Sequence, residues 1–352
     1  SSLDVSTSDL LISKVKVMEF TFFLGIDVGK ATFTYCLRNQ AGVLDQGEVE
    51  NTLRAITNWV SSLKKTHKRN LEQFILCMEY TGIYNSILLR VLQQKGLRVC
   101  MEGASNIKLS LGMQRGKNDK VDAQRIAEYS LRFTDRLKEW SPRREVVEKL
   151  GHLMSSRARL VNARKTLCVP NHEAELFLDK RISRELHHHV AGTLKAIDKN
   201  INLIESEMKE VIENDENLKL LMDLSTSVPG IGFITGCTLI VKTNEYKSFD
   251  SAKKIACTAG IAPFEHTSGS SIKGKTRVSH RAHKDLKTAL HLAAMGAVRS
   301  KGVIQDFYIR KVAEGKNKML VLNAVRNKLV HLVFAVIRDN TMYQKNYQYG
   351  NV

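Results

Sequence analysis

The chain has 352 residues, 54 of them Lys or Arg against 36 Asp or Glu, for a formal net charge of +18. With 43 % hydrophobic and 26 % charged residues, the composition is that of a folded globular protein of two or three domains, which excludes a disordered or collagen-like chain. So large a positive excess makes a polyanion the expected partner, because neutralising phosphates releases their condensed counterions.

The excess is concentrated, since residues 267–330 hold 14 Lys or Arg against three acids, Asp285, Asp306 and Glu314. Nucleic acid is therefore the leading candidate. The longest apolar runs, such as residues 332–337, are short for a membrane span, so no membrane is expected. Cys36, Cys77, Cys100, Cys168, Cys237 and Cys257 are scattered, with no C-x-x-C and no zinc-ligand spacing, which fits a reducing, cytoplasmic setting. No leader pattern is evident, so export is not expected. His187, His188 and His189 would point in different directions on a helix and read as surface, not as a metal site.

Residues 1–17 are polar and unpatterned, an N-terminal extension to a first domain over 18–141. Residues 20–37 and 42–50, parted by a turn at 39–42, are expected to pair as strands. A helix over 53–63, a strand over 74–78, a helix over 84–94 and a strand over 97–101 follow, and this alternation predicts an α/β unit. A further helix begins near Asp119, and Pro142 marks a boundary.

In the second segment, 142–222, Val146, Leu150, Leu153, Arg157, Leu160, Arg164 and Leu167 recur at spacings of four and three. So do Val190, Leu194, Ile197, Ile201, Ile204, Met208 and Val211, which predicts two long helices with coiled-coil seams. With Pro170 expected between them they form an antiparallel hairpin, closing on itself or joining subunits. Arg157 and Arg164 on the first seam would meet either carboxylates or a phosphate backbone. The third segment, 223–345, reads as mostly helical, and 346–352 as a tail. Near the start of the third segment lies Ser227-Val-Pro-Gly-Ile-Gly232, a glycine turn that either offers N–H groups to a phosphate or simply joins two helices.

Three short stretches carry the chemistry. In Leu24-Gly-Ile-Asp27-Val-Gly-Lys30 a carboxylate interrupts a strand that should otherwise be buried. In Ile75-Leu-Cys-Met-Glu79 an acid closes a second apolar strand, and Asn118-Asp119-Lys-Val-Asp122 puts two acids on one face at a helix start. Neighbouring strand ends would bring Asp27 and Glu79 opposite Asp119 and Asp122. Four oxygen-ligand side chains suit a hard divalent ion, Mg²⁺ or Mn²⁺, and such ions serve phosphodiester chemistry by stabilising attacking and leaving oxygens. Asp119 capping its helix and Glu79 neutralising a lysine are the plainer alternatives.

In order and spacing, Asp27, Glu79, Asp119 and Asp122 resemble the signature of the DEDD transposases of bacterial insertion sequences, a family that includes Piv-type DNA invertases and bridge-RNA-guided recombinases. The resemblance spans nearly the whole chain. It implies a RuvC/ribonuclease H-like N-terminal domain, a helical coiled-coil middle and a mostly helical C-terminal transposase domain with a serine nucleophile. Gly260-Ile-Ala-Pro263 followed by His266-Thr267-Ser268-Gly269-Ser270 resembles the nucleophile segment, with Ser268 as the candidate. Lys273, Lys275, Arg277 and Arg281 follow closely and would hold a phosphate there. The resemblance further implies double-stranded DNA as donor and target, a structured guide RNA, a homo-oligomer (dimer or tetramer) and a bacterial cytoplasmic location. A RuvC-like junction endonuclease using water, an invertase without a guide, an actin-like ATPase and a non-catalytic nucleic-acid scaffold are the competing readings.

Overall fold

The computed structural model describes residues 20–67, 71–110, 118–249, 251–268, 272–278 and 283–344. The expected extension 1–17, the tail 346–352, Ser270 and Arg281 lie outside these residues. The chain divides into two compact units after Pro142.

The first unit is built on a mixed sheet of β1 (Phe22–Val28), β2 (Thr32–Arg38), β3 (Val43–Glu50), β4 (Phe74–Glu79) and β5 (Arg98–Glu102), in the order β3-β2-β1-β4-β5. β2 runs antiparallel to β1 and β3, whereas β4 and β5 run parallel to β1 and to each other. The parallel connections are made by α1 (Leu53–His67) and α2 (Ser86–Gln94). Their apolar stripes close one face of the sheet, with Ile56, Trp59, Leu88 and Leu92 packed into a core with Leu24, Ile26 and Leu76. Beyond β5 come α3 (Ala104–Ser110) and α4 (Asp119–Arg132), and α4 lies on β1, β2 and β4. This is the RuvC/ribonuclease H-like α/β arrangement expected. The single run predicted over 20–37 is instead two strands, because Gly29 N–H donates to Thr32 O at 2.9 Å and closes a tight turn.

The second unit opens with α5 (Glu145–Phe177) and α6 (Lys180–Glu213), an antiparallel pair laced by Lys149–Glu207, Arg157–Glu205 and Arg164–Asp198. The turn falls at Leu178 and Asp179, not at Pro170, which sits inside α5. An interior proline deletes one ladder bond, here the one to Thr166 O; the Asn171 side-chain amide donates to the neighbouring Leu167 O at 3.1 Å, and the helix runs on to Phe177.

α7 (Glu216–Ser227), α8 (Phe233–Thr243), α9 (Ala252–Thr258), α10 (Lys284–Ala297), α11 (Val303–Ala313) and α12 (Lys318–Arg338) complete the unit, with a strand pair, β6 (Pro263–Ser268) and β7 (Ile272–Val278), between α9 and α10. The helices share one core with the root of the hairpin, where Val147 and Leu150 meet Met208, Val211 and Ile212. By length and composition alone α12 could cross a membrane, with 21 residues and a mean hydropathy of 1.6 over its most apolar 18-residue window, although Arg326 and Lys328 interrupt the apolar run. Its apolar side chains, among them Val325, Leu329 and Val333, are buried in that core, as in a central helix of a globular fold. All six cysteines are free thiols.

The glycine turn 227–232 does join two helices, α7 and α8. A Cβ on Gly230, whose φ is +87°, would stand 2.8 Å from Ala297 N and closer still to Ala293 O, so this turn is pressed against α10. After α8 the chain makes an unusual turn in which Asn244, Glu245 and Tyr246 all have left-handed φ, at 49°, 58° and 63°. Each costs about 1–2 kcal/mol in a residue with a Cβ. The offset comes from Arg144, which donates to both Glu245 oxygens and to both Asp215 oxygens, and from Asn217 and Lys247, which also reach Glu245. Tyr246 OH lies 2.9 Å from Ser225 Oγ and closes the turn from the other side.

Candidate active site

One position brings the acids of the first unit together. Gly25 faces α4, and a Cβ there would lie 2.8 Å from Ala127 Cα and nearer still to Ala127 N and Ala123 O. Without a side chain at 25 the helix backbone seats directly on β1, with Ala123 and Ala127 buried beneath it. Asp27 is two residues further along β1, on the same face as Gly25, and Asp122 precedes Ala123 on the helix. β1 and β4 run in register to Ile26 and Met78, so Asp27 and Glu79 are the next residues of adjacent parallel strands.

The local structure holds Glu79 firmly. Buried Asn85 donates to the Glu79 carbonyl at 3.1 Å and accepts from Thr81 N and Oγ1 at 2.7 and 2.8 Å. Asn51 donates to Gly29 O and Tyr84 O, tying the turn after β1 to the turn after β4. At the start of α4 the cap is Asn118, whose side chain accepts from Val121 N at 2.8 Å. Asp119 is thereby relieved of capping and stands exposed in the first turn, one turn from Asp122.

Electrostatics link three of the four acids. Burial raises the Glu79 carboxyl above its ordinary pKa, and the charges of Asp27 and then Asp122 raise it further. Asp122 also pairs with Arg125 at 2.8 Å. Repulsion among carboxylates is what a cation would relieve, and an all-oxygen donor set suits Mg²⁺ or Mn²⁺. As the side chains stand, no three His, Cys, Asp or Glu residues among those described are gathered into a metal cage.

A fifth acid escaped the sequence reading. Glu102 closes β5 in register with Glu79 and accepts from Asn106 Nδ2 at 3.3 Å; burial, and then the charge of Glu102, push the Tyr129 phenol up to about 12. The signal was present, because Cys77-Met-Glu79 and Cys100-Met-Glu102 are the same tripeptide at the ends of neighbouring strands.

Ser268 is the last residue of β6, where its backbone pairs with Ile272, while Thr267 pairs with Lys273. Ser268 therefore stands at a strand end. Lys273, Lys275 and Arg277 all belong to β7. Their side chains, and that of Ser268, lie outside what is described. Arg157 and Arg164 are not gathered with these cations: each meets a carboxylate of α6, at 2.6 Å in both cases.

Two family models match the chain, a DEDD-type transposase model of the insertion element IS110 over residues 24–170 and one described as Transposase IS116/IS110/IS902 family over 222–309. The chain belongs to the DEDD insertion-sequence transposase family. As a member it is an enzyme of the DNA transposase and recombinase class. This transposase is 27 % identical over 345 residues to the pilin gene-inverting protein of Moraxella lacunata, covering 92 % of the chain and 98 % of the relative. It is 24 % identical over 269 residues to the transposase for insertion sequence element IS1328 of Yersinia enterocolitica, covering 66 % of the chain and 75 % of that relative. The structure of Thermus thermophilus RuvC in complex with a Holliday junction substrate aligns with 34 % of the chain and 99 % of its own at 14 % identity and a TM-score of 0.27.

Proposed function

We propose that the protein inserts and excises its own element by cutting, exchanging and rejoining DNA strands through a serine–phosphate intermediate, directed by a structured guide RNA. What supports this most is half-buried Glu79 at the end of β4, within electrostatic reach of Asp27 and Asp122, in a chain of the DEDD transposase family. In this reading Asp27, Glu79, Asp119 and Asp122 hold Mg²⁺ or Mn²⁺. Bound there, the ion would supply charge stabilisation to the oxygens that gain negative charge at phosphorus.

The chain's own residues do the rest. Ser268 Oγ forms a bond to phosphorus as the bond to a deoxyribose oxygen breaks, and the serine proton ends on that leaving oxygen. The phosphoserine keeps the bond energy, so a deoxyribose hydroxyl from another strand attacks it and regenerates the serine without nucleotide hydrolysis. Lys273, Lys275, Arg277 and Arg281 would hold the phosphodiester, since a strand end flanked by cations tolerates close approach of a backbone phosphate. Arg157 and Arg164 would contribute to nucleic-acid binding only if their ion pairs open. The acids and the serine lie in different units of the fold, and the assembly is a homo-oligomer, dimer or tetramer, in which they complement one another. The work is done in the bacterial cytoplasm, on double-stranded donor and target DNA.

Trapping is the direct test. A radiolabelled element-end duplex should give a covalent protein adduct that survives denaturation. Ser268→Ala should abolish it, and Asp27→Ala should reduce it at least about 100-fold. Cleavage by Ser268→Ala without an adduct would replace this reading with a water-using junction endonuclease. Mixed Ser268→Ala and Asp27→Ala subunits should recover strand exchange if the site is completed between copies.

A second reading, an invertase without a guide, draws on the near full-length likeness to the pilin gene-inverting protein. Sequencing RNA that stays bound through a high-salt wash separates the two. A discrete structured transcript supports the guide, and random RNA or none favours the invertase.

A further inference from the structure

Arg326 sits within α12 with only 7 % of its surface exposed. Its Nη2 lies 2.7 Å from His291 Nδ1 on α10, its Nη1 donates to Asn323 Oδ1 across 3.4 Å, and its Nε is buried with no acceptor. No carboxylate of the described residues pairs with it.

A guanidinium cannot shed its proton in a folded protein, and a buried charge without a counter-ion is among the costlier features a fold can carry. A guanidinium kept only to stitch α10 to α12 would be met by a carboxylate or by several carbonyls. This one has a neutral ring nitrogen and one distant amide oxygen. For His291 Nδ1 to accept from Arg326, the ring proton must sit on Nε2. Burial, and then Arg326, hold His291 below its usual pKa, which keeps the ring neutral. Among the described residues the pair therefore offers one uncompensated positive charge, a buried Nε–H and an imidazole Nε2–H, and His291 is half-buried. Asn323, braced by Arg326, donates to Ile261 O at 2.9 Å, two residues before β6 begins.

We propose that Arg326 and His291 form an oxyanion site that takes one backbone phosphate of bound DNA at the entry to β6. The ligand's identity as DNA rests on the recombinase reading given above, whereas the site itself rests on the unpaired guanidinium. A phosphate there would complete both donors, supply the missing counter-ion and, through Asn323, fix the segment that leads to Ser268.

The test uses the full chain with inorganic phosphate as the first probe and a short DNA duplex as the second. Phosphate should raise the thermal unfolding midpoint of the wild type above that in chloride of equal ionic strength, and should do so less for Arg326→Met. Met keeps the apolar stem and removes the buried charge, so this variant should fold. One lost phosphate contact lowers the salt slope of duplex binding by about 0.9, equivalent to about 3.5-fold less weakening between about 50 and 200 mM salt. Arg326→Lys should keep the wild-type slope. If Arg326→Met fails to fold, His291→Phe takes its place and must lose the phosphate protection.

Equal protection of wild type and variants, with an unchanged slope, would overturn the site. If strand exchange persisted at the same time, the site alone would fall. Arg326-dependent phosphate protection in a chain that forms no covalent DNA adduct would support the site and sink the recombinase reading.

Discussion

Replacing Gly25 by Ala should separate the stability of the first unit from its chemistry. The added Cβ would face Ala127 Cα at 2.8 Å, with Ala127 N and Ala123 O nearer still, where ordinary contact begins at 3.4 Å. Clearing all three requires α4 to withdraw from β1 by about 1 Å, an overpacking that costs about 1–3 kcal/mol. The helix carries Asp119 and Asp122 with it, while Asp27 stays on the strand. A displacement of about 1 Å in a reacting constellation costs about 100-fold in rate.

Urea unfolding should therefore show a modest loss and DNA strand cleavage a severe one, with divalent-ion affinity, read by calorimetry, falling alongside cleavage. The colliding atoms are backbone, so adding Ala127→Gly should rescue nothing. Gly103→Ala, where a Cβ meets nothing within 4 Å, is the silent control. Wild-type cleavage and ion binding in Gly25→Ala would refute the claim that this close approach sets the acids' geometry.

Other substitutions probe the rest of the molecule. Because Glu79 titrates above its unfolded value, its ionisation destabilises the metal-free fold: stability is full below about pH 4.5 and falls as pH rises through the raised value. Glu79→Gln should flatten that dependence in thermal melts without divalent ions and raise the midpoint at neutral pH, while abolishing cleavage. Arg144→Met should destabilise the second unit by about 3 kcal/mol in urea, the low end for breaking a buried pair, because Glu245 is buried but Arg144 is 40 % exposed. For Asp215, the hydrogen bond from Arg144 holds the carboxyl below its ordinary range. Burial would push Glu245 up, but hydrogen bonds from Arg144, Lys247 and Asn217 bring it below that range too. This stabilisation is present at neutral pH and is lost as pH falls below about 4, so wild type and Arg144→Met should converge in acid. Swapping charges, Arg164→Asp with Asp198→Arg, should preserve duplex binding if the ion pair is the role of Arg164. A fall in affinity would instead give it a part in DNA contact.

The acids were legible because burial and charge conflict so visibly in a strand: Asp27 and Glu79 stand out against the apolar residues before them, and no packing argument accounts for them. The helical hairpin was legible from its seams. Harder to read were features decided by backbone contact. Gly25 looks like any strand glycine until α4 is placed on it, and Pro170 looks like a break although α5 runs through it to Phe177. The split of 20–37 depended on a turn at Gly29 too short to interrupt the β-rich composition. Three left-handed residues at 244–246 carry no glycine to announce them, since the conformation is imposed by Arg144 from a hundred residues away. Arg326 reads in sequence as one more cation of a basic region, and only its burial sets it apart.

The hairpin of α5 and α6 has a consequence for how the second unit comes apart. At about 1.5 Å per residue each helix runs about 50 Å. Buried apolar side chains are concentrated at one end, around Leu150 and Met208, while Leu176, Phe177 and Ile182 near the turn are exposed. Between them the helices are held by half-buried seam residues and surface ion pairs. Amide protons should therefore exchange in a gradient, fast near Leu178 and slowing toward Val147, so that the tip opens and closes many times for each global unfolding event. The hairpin is a ladder of local stabilities anchored at one rung, and changes near its turn reach the core only weakly.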